Sequence, residues 1–174
     1  IESMLELRGI KYVSTPRPSG KRGGGTALAC SQDRFIMSKL NVLVPKPLEA
    51  CFALVKPKCP TGKSNKYIFC SFYSPPRSRS NNKLSEFLAA TLGTLRSEHP
   101  GAKVVLGGDI NDMRLGLLQS LDPTLRQLVS GFTNKKQDKT LDVLLMDCAD
   151  IYQQPTILRP MTVDVGKVGK DSDH

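Results

Sequence analysis

A chain of 174 residues, 39% of them hydrophobic, has the size of one ordinary domain and enough apolar side chains for a core, so two domains are not expected. Its 25 Lys and Arg against 16 Asp and Glu give a formal charge of +9, spread along the chain, which makes a phosphate polymer the first candidate partner beside the plainer reading of a solvated basic surface. No apolar run approaches the roughly 18 residues of a membrane span, so no membrane partner is expected, and the five cysteines form no CxxC pair, which argues for reduced thiols in an intracellular protein rather than a zinc site.

Residues 1–7 carry Ile1, Met4, Leu5 and Leu7 at the spacing of a short helical segment ended near Gly9, or the tail of a strand running into one. Residues 11–15 read as a strand and residues 26–30 as its hairpin partner, with Pro16, Pro18, Gly20 and Gly23-Gly24-Gly25 between them. Beside Lys21 and Arg22 these glycines suit either a turn or a phosphate cradle. A phosphate loop wants Lys-Ser/Thr and a helix after its last glycine, whereas strand-like Thr26-Ala27-Leu28-Ala29 follows, so the turn is the better reading.

Residues 51–55 and 67–73 predict two more strands, joined by a Pro, Gly and Lys-rich loop into an antiparallel hairpin of a core sheet and stopped by Ser74-Pro75-Pro76. From residue 83 to 99, Leu84, Phe87, Leu88, Leu92 and Leu95 recur at three and four before Pro100-Gly101, the pattern of an amphipathic helix. Residues 103–106 predict a short buried strand entering Gly107-Gly108-Asp109. Helical turns are expected over 115–121 and 123–129, a strand over 141–146, and loops with one or two short strands over 151–170. The mixture suits a layered α/β sandwich.

Two polar groupings stand out: Gly107-Gly108-Asp109-Ile110-Asn111 behind an apolar strand, and Ser172-Asp173-His174 at the end of the chain. Hydrolysing a phosphodiester at neutral pH needs a metal ion for the developing charge, an activated water and help for the leaving oxygen, and carboxylates, an amide, a histidine and a hydroxyl supply these. Asp109 sits where a strand exits into a loop, and Asn111 would project to the same side if the chain stays extended; the alternative is a polar turn closing the strand. Asp142 lies within Leu141-Asp142-Val143-Leu144-Leu145, where a buried carboxylate without a partner costs several kcal/mol. A histidine would serve as that partner. Only His99, at the end of a helix, and His174 are available.

Taken in order, Arg22-Gly23-Gly24-Gly25-Thr26-Ala27-Leu28, Phe72-Tyr73-Ser74-Pro75-Pro76, Gly107-Gly108-Asp109-Ile110-Asn111, Thr140-Leu141-Asp142-Val143-Leu144 and Ser172-Asp173-His174 resemble the endonuclease/exonuclease/phosphatase superfamily. More narrowly they resemble the endonuclease domain of non-LTR (LINE-type) retrotransposons. The resemblance implies a four-layer α/β/β/α sandwich like that of deoxyribonuclease I and a target-nicking DNA endonuclease. It implies Mg²⁺, with Mn²⁺ as a substitute, DNA as partner, a downstream reverse transcriptase domain in the same polypeptide, and a nuclear site of action.

By the same resemblance Asp109 would orient or deprotonate the attacking water or assist the leaving group, and Asn111 would hold the phosphate. Tyr73 and Thr133, the latter in Phe132-Thr133-Asn134, would bond phosphate oxygens. Asp142 would pair with His174, and Glu2, in Glu2-Ser3-Met4-Leu5, and Asp173 would serve the metal. The family's opening Asn-bearing strand and the strand after Ser-Asp-His are not in the sequence, so the domain is expected to be a segment incomplete at both ends that, taken alone, cleaves poorly. Two other functions stay open: a phosphomonoesterase of the same fold acting on inositol phosphates or lipids, and a catalytically dead remnant that binds nucleic acid by charge.

Overall fold

Along β5 (Tyr67–Tyr73) burial alternates residue by residue: Ile68, Cys70 and Phe72 are buried and the residues between them only partly so. This period of two is that of a strand with one face on a core. The structure, a computed structural model, describes residues 8–18, 25–59, 66–77, 79–131, 133 and 139–148. The predicted segments at 1–7 and 151–170 lie outside them.

Two strands, β1 (Ile10–Thr15) and β2 (Thr26–Ser31), pair as an antiparallel hairpin. The larger sheet has six strands in the order β3-β4-β5-β6-β8-β7. Its members are β3 (Phe35–Lys39), β4 (Glu49–Pro57), β5, β6 (Lys103–Asp109), β7 (Arg126–Gln127) and β8 (Asp142–Met146). β5 and β6 run parallel, joined through helix α1 (Asn81–Glu98); β3–β4, β4–β5, β6–β8 and β7–β8 are antiparallel. A second helix, α2 (Leu115–Leu121), follows β6.

The main core lies where α1 covers one face of the large sheet. Leu84, Leu88, Leu92 and Leu95, spaced along one stripe of the helix, pack with Phe52, Ile68, Phe72, Val104, Leu106 and Leu145. Phe87 meets Phe52 edge to face at 6.2 Å. Arg96 then ties the end of α1 to Asp122 beyond α2 at 2.6 Å. On the opposite face the β1–β2 hairpin packs Val13 against Met37, Cys51, Ala53 and Val55. The described residues therefore form helices, large sheet and second sheet in the order that the α/β/β/α sandwich requires.

Three expectations change. β3 was not anticipated, because outward Ile36, 52% exposed, breaks the alternation that marks a half-buried strand. Residues 123–129 are not helical turns: Arg126 and Gln127 pair with Met146 and Leu145 of β8, and sheet pairing overrides the three-residue spacing of Leu125 and Leu128. β6 runs past Leu106 through both glycines to Asp109, because its neighbours β5 and β8 supply ladder bonds on both sides. All five cysteines are free thiols, as the lack of a paired pattern suggested.

Candidate active site

Because β5 and β6 are parallel they end at the same edge of the sheet, and antiparallel β8 begins there. The register sets Tyr73 beside Asp109 and Asp109 opposite Asp142. Side chains of directly paired residues share a face, so a tyrosine and two carboxylates stand in one row, about 4.8 Å apart strand to strand. The alternation of β5 and β8 turns this row away from α1 and toward the β1–β2 hairpin. All three residues line a cleft of about 460 Å³ whose opposite wall is Gly25, Thr26, Ala27 and Leu28. Gly107, on the same face, leaves the floor of the cleft without a side chain.

Behind the row the chain turns sharply. Asn111 takes a left-handed backbone conformation, φ 43°, which asparagine tolerates better than most residues. Its N–H donates to Asp109 Oδ1 at 3.0 Å and its Nδ2 donates to the Ser74 carbonyl at 2.9 Å. Ser74 N in turn donates to the Asp109 carbonyl at 2.9 Å. Asn111 thus reaches Asp109 by folding back on it, not by the extended alternation expected from the sequence. The turn locks one carboxylate oxygen of Asp109 and welds the ends of β5 and β6 together, with the amide oxygen of Asn111 left as an acceptor.

Thr133 stands at the start of β8. Its Oγ1 accepts the N–H of Leu141 at 2.9 Å and of Asp142 at 3.0 Å. Neither bond uses the hydroxyl proton, and the two together make Thr133 the anchor that sets Asp142 in place. Of the two histidines, His99 caps the far end of α1, just before β6 begins, whereas Asp142 pairs with the last residue of β6. Seven residues of strand, on the order of 20 Å, separate the two levels, so His99 does not partner Asp142. Glu2, Asp173 and His174 lie outside the described residues.

The sequence did not single out Glu49. It opens β4 opposite Tyr73, extends the same row to a fourth strand, and is only 4% exposed. Its carboxylate accepts Arg17 Nε at 2.9 Å and Gly25 N at 2.9 Å. The Arg17 guanidinium in turn lies 5.6 Å over the Tyr73 ring, a cation–π contact. The available signal was an acid opening an otherwise apolar strand, where burial demands a charged partner.

Oxygen donors dominate the row, the chemistry that suits a hard divalent cation. Two carboxylates directly opposite each other also draw a cation to the space between them, since like charges at one rung repel. Among the described residues no group of three or more His, Cys, Asp or Glu stands close enough to hold a metal ion. The residues expected to serve the metal, Glu2 and Asp173, are not among those described.

No protein-family model matches the chain and no curated protein matches it by sequence. Solved structures do. The human Nocturnin catalytic domain with bound sulfate anion aligns with a TM-score of 0.62 at 14% identity, over 84% of this chain and 64% of that one. A mannosyl-6-phosphatase of Bacteroides thetaiotaomicron aligns with a TM-score of 0.60 at 15% identity, over 83% of this chain and 66% of that one. D. rerio TDP2 complexed with single strand DNA product gives 0.56 at 12% identity, over 99% of this chain and 86% of that one. The chain thus spans just under two thirds of the first two structures.

At these identities the likeness establishes the architecture. The chain has the mixed α/β fold of the endonuclease/exonuclease/phosphatase proteins, a description that another matching structure from the same bacterium bears.

Proposed function

We propose that the protein hydrolyses phosphodiester bonds in DNA, nicking a target site for a retrotransposon reverse transcriptase that follows in the same polypeptide. The observation that carries this reading is the row Tyr73, Asp109 and Asp142 at one end of the large sheet, lining an open cleft in a chain of charge +9. The fold supports phosphate-ester chemistry, and D. rerio TDP2, which shares it, was solved with a DNA product.

In this mechanism Asp109, with one oxygen fixed by the Asn111 N–H, directs its other oxygen at the attacking water or the leaving oxygen. The second Nδ2–H of Asn111 and the Tyr73 hydroxyl donate to phosphate oxygens. Asp142, set by Thr133, fixes the tautomer of His174, and Thr133 lends its remaining proton to the phosphate. A divalent ion, Mg²⁺ or Mn²⁺, would be held by Glu2 and Asp173 and would supply charge stabilisation at the phosphate.

A phosphomonoesterase is the second reading, favoured by the shared fold of a mannosyl-6-phosphatase. The test incubates the purified full-length polypeptide that carries this domain with supercoiled plasmid and Mg²⁺, and separately with inositol phosphates and mannose 6-phosphate. Conversion of plasmid to nicked circles, abolished by chelation and by Asp109→Asn, supports the endonuclease. Release of inorganic phosphate from the monoesters without nicking replaces it with the second reading, and neither activity leaves the nucleic-acid-binding remnant.

A further inference from the structure

Where the β1–β2 hairpin meets the β4 end of the row, a second set of groups has no part in the chemistry above. Glu49 grips both ends of the β1–β2 connection: Arg17 Nε on one side and Gly25 N on the other, each at 2.9 Å. The grip depends on Gly25, whose φ is +91° and where a Cβ would lie 2.7 Å from the Thr15 carbonyl. Held through Nε, Arg17 keeps four further N–H donors, none of which bonds to another described residue, and its side chain stays 26% exposed beside Tyr73. Next to Gly25, Thr26 lines the same cleft and is 7% exposed, yet its Oγ1 has no hydrogen-bond partner among the described residues. A buried hydroxyl without a partner is costly and points to an acceptor not yet in place.

We infer that Arg17 and Thr26, fixed by Glu49, form a subsite for a second phosphate of the substrate, next to the phosphate attacked at Asp109. The inference rests on the phosphate-ester reading but not on the DNA reading. The chemistry fits because a guanidinium fork and a hydroxyl are both donors, and a phosphate is all acceptor. The site suits an anion where the facing row suits a cation. Tyr73 separates the two, one strand away from Asp109 and under the Arg17 guanidinium, so adjoining phosphates would fall on either side of its ring. A second phosphate is supplied by the next phosphodiester of a nucleic-acid strand or by a small molecule phosphorylated twice.

The experiment measures binding of a labelled 20-base-pair DNA duplex, an inositol bisphosphate and an inositol monophosphate, in Ca²⁺ to prevent turnover, by wild type, Arg17→Ala, Arg17→Lys and Thr26→Val. Arg17→Ala is expected to weaken the duplex or the bisphosphate about tenfold or more, the scale of charge-assisted hydrogen bonds. It should leave the monophosphate within about twofold and lower the salt dependence of duplex binding by about one phosphate contact. Arg17→Lys recovers part of the affinity. Thr26→Val is expected to weaken the same ligands while its melting temperature holds or rises, an outcome that a hydroxyl with a merely structural role does not give.

Equal losses for mono- and bisphosphate, or a Thr26→Val protein that melts earlier and binds normally, overturn the subsite. Arg17 dependence seen with the bisphosphate but no binding or nicking of DNA leaves the subsite standing and removes the endonuclease. A wild type that binds none of the three ligands removes both.

Discussion

Gly108 lies so close to Phe72 that a Cβ built on it would stand 2.3 Å from the Phe72 carbonyl oxygen and 2.9 Å from the ring. Gly107, one residue earlier and facing the cleft, would meet nothing nearer than 3.9 Å. Adjacent glycines in one strand therefore serve different ends, close packing at one and an open floor at the other. Gly108→Ala is expected to destabilise by about 1–3 kcal/mol, the usual cost of overpacking. Gly107→Val should unfold near the wild-type urea concentration but lose most cleavage; the reverse pattern in paired urea and plasmid assays would refute the assignment of faces.

Asp109→Asn and Asp142→Asn keep size and one acceptor oxygen while removing charge and turning the other oxygen into a donor. Each is expected to lower the nicking rate by roughly 10²–10⁴, the range for a lost proton-transfer or orienting group. Circular dichroism should remain that of the wild type. Near-normal rates in either variant would take that residue out of the chemistry.

Asn111→Gly and Asn111→Ala separate conformation from contact. Glycine adopts φ 43° without strain but cannot bridge to the Ser74 carbonyl, whereas alanine bears both losses. Both should be slow in cleavage, with alanine less stable than glycine by about 1 kcal/mol. Equal stability in urea titrations would argue that the turn is not held left-handed.

Thr133→Val leaves the N–H groups of Leu141 and Asp142 without their acceptor and is expected to cost about 1–3 kcal/mol. Thr133→Ser should restore most of that. A valine variant as stable as wild type, by thermal melting, would show that water or another group replaces the hydroxyl readily.

Burial pushes the Cys70 thiol well above its ordinary value of 9.0, with Cys51 adding to the effect. Above that ordinary value the unfolded chain releases the proton and the folded one keeps it, so stability falls as pH rises from about 9 toward the folded value. Urea midpoints at pH 8 and pH 10 should differ more for wild type than for Cys70→Ala. Iodoacetamide under native conditions should label exposed Cys59 before buried Cys51 or Cys70.

How much of this was legible beforehand varied with the range of the interactions. Asp109 and Asp142 stood out because carboxylates inside or just after apolar strands violate the local pattern, and the strand pairs around them follow from period and turn residues. Glu49 did not stand out, since its meaning comes from Arg17 and Gly25, 32 and 24 residues away. Spacing could likewise place Asn111 near Asp109 but not reveal the left-handed turn, which the Ser74 carbonyl on a different strand completes. Residues 126–127 show the limit most clearly, because local spacing suggested helix and the exposed side of β8 decided otherwise.

That side of β8 has one more consequence. β7 is two residues long and pairs with Met146 and Leu145, so among the described residues most of β8 has no strand on that side. Among the described residues three of its outward backbone groups are claimed by other partners: Leu144 N by Gln127 Oε1 at 3.1 Å, Leu144 O by Leu128 N at 2.8 Å, and Asp142 N by Thr133. Side chains and a loop amide do the work of a seventh strand without its flat ladder. A foreign strand that approached this edge would find these three groups already engaged, which works against the edge-to-edge association to which open sheets are prone.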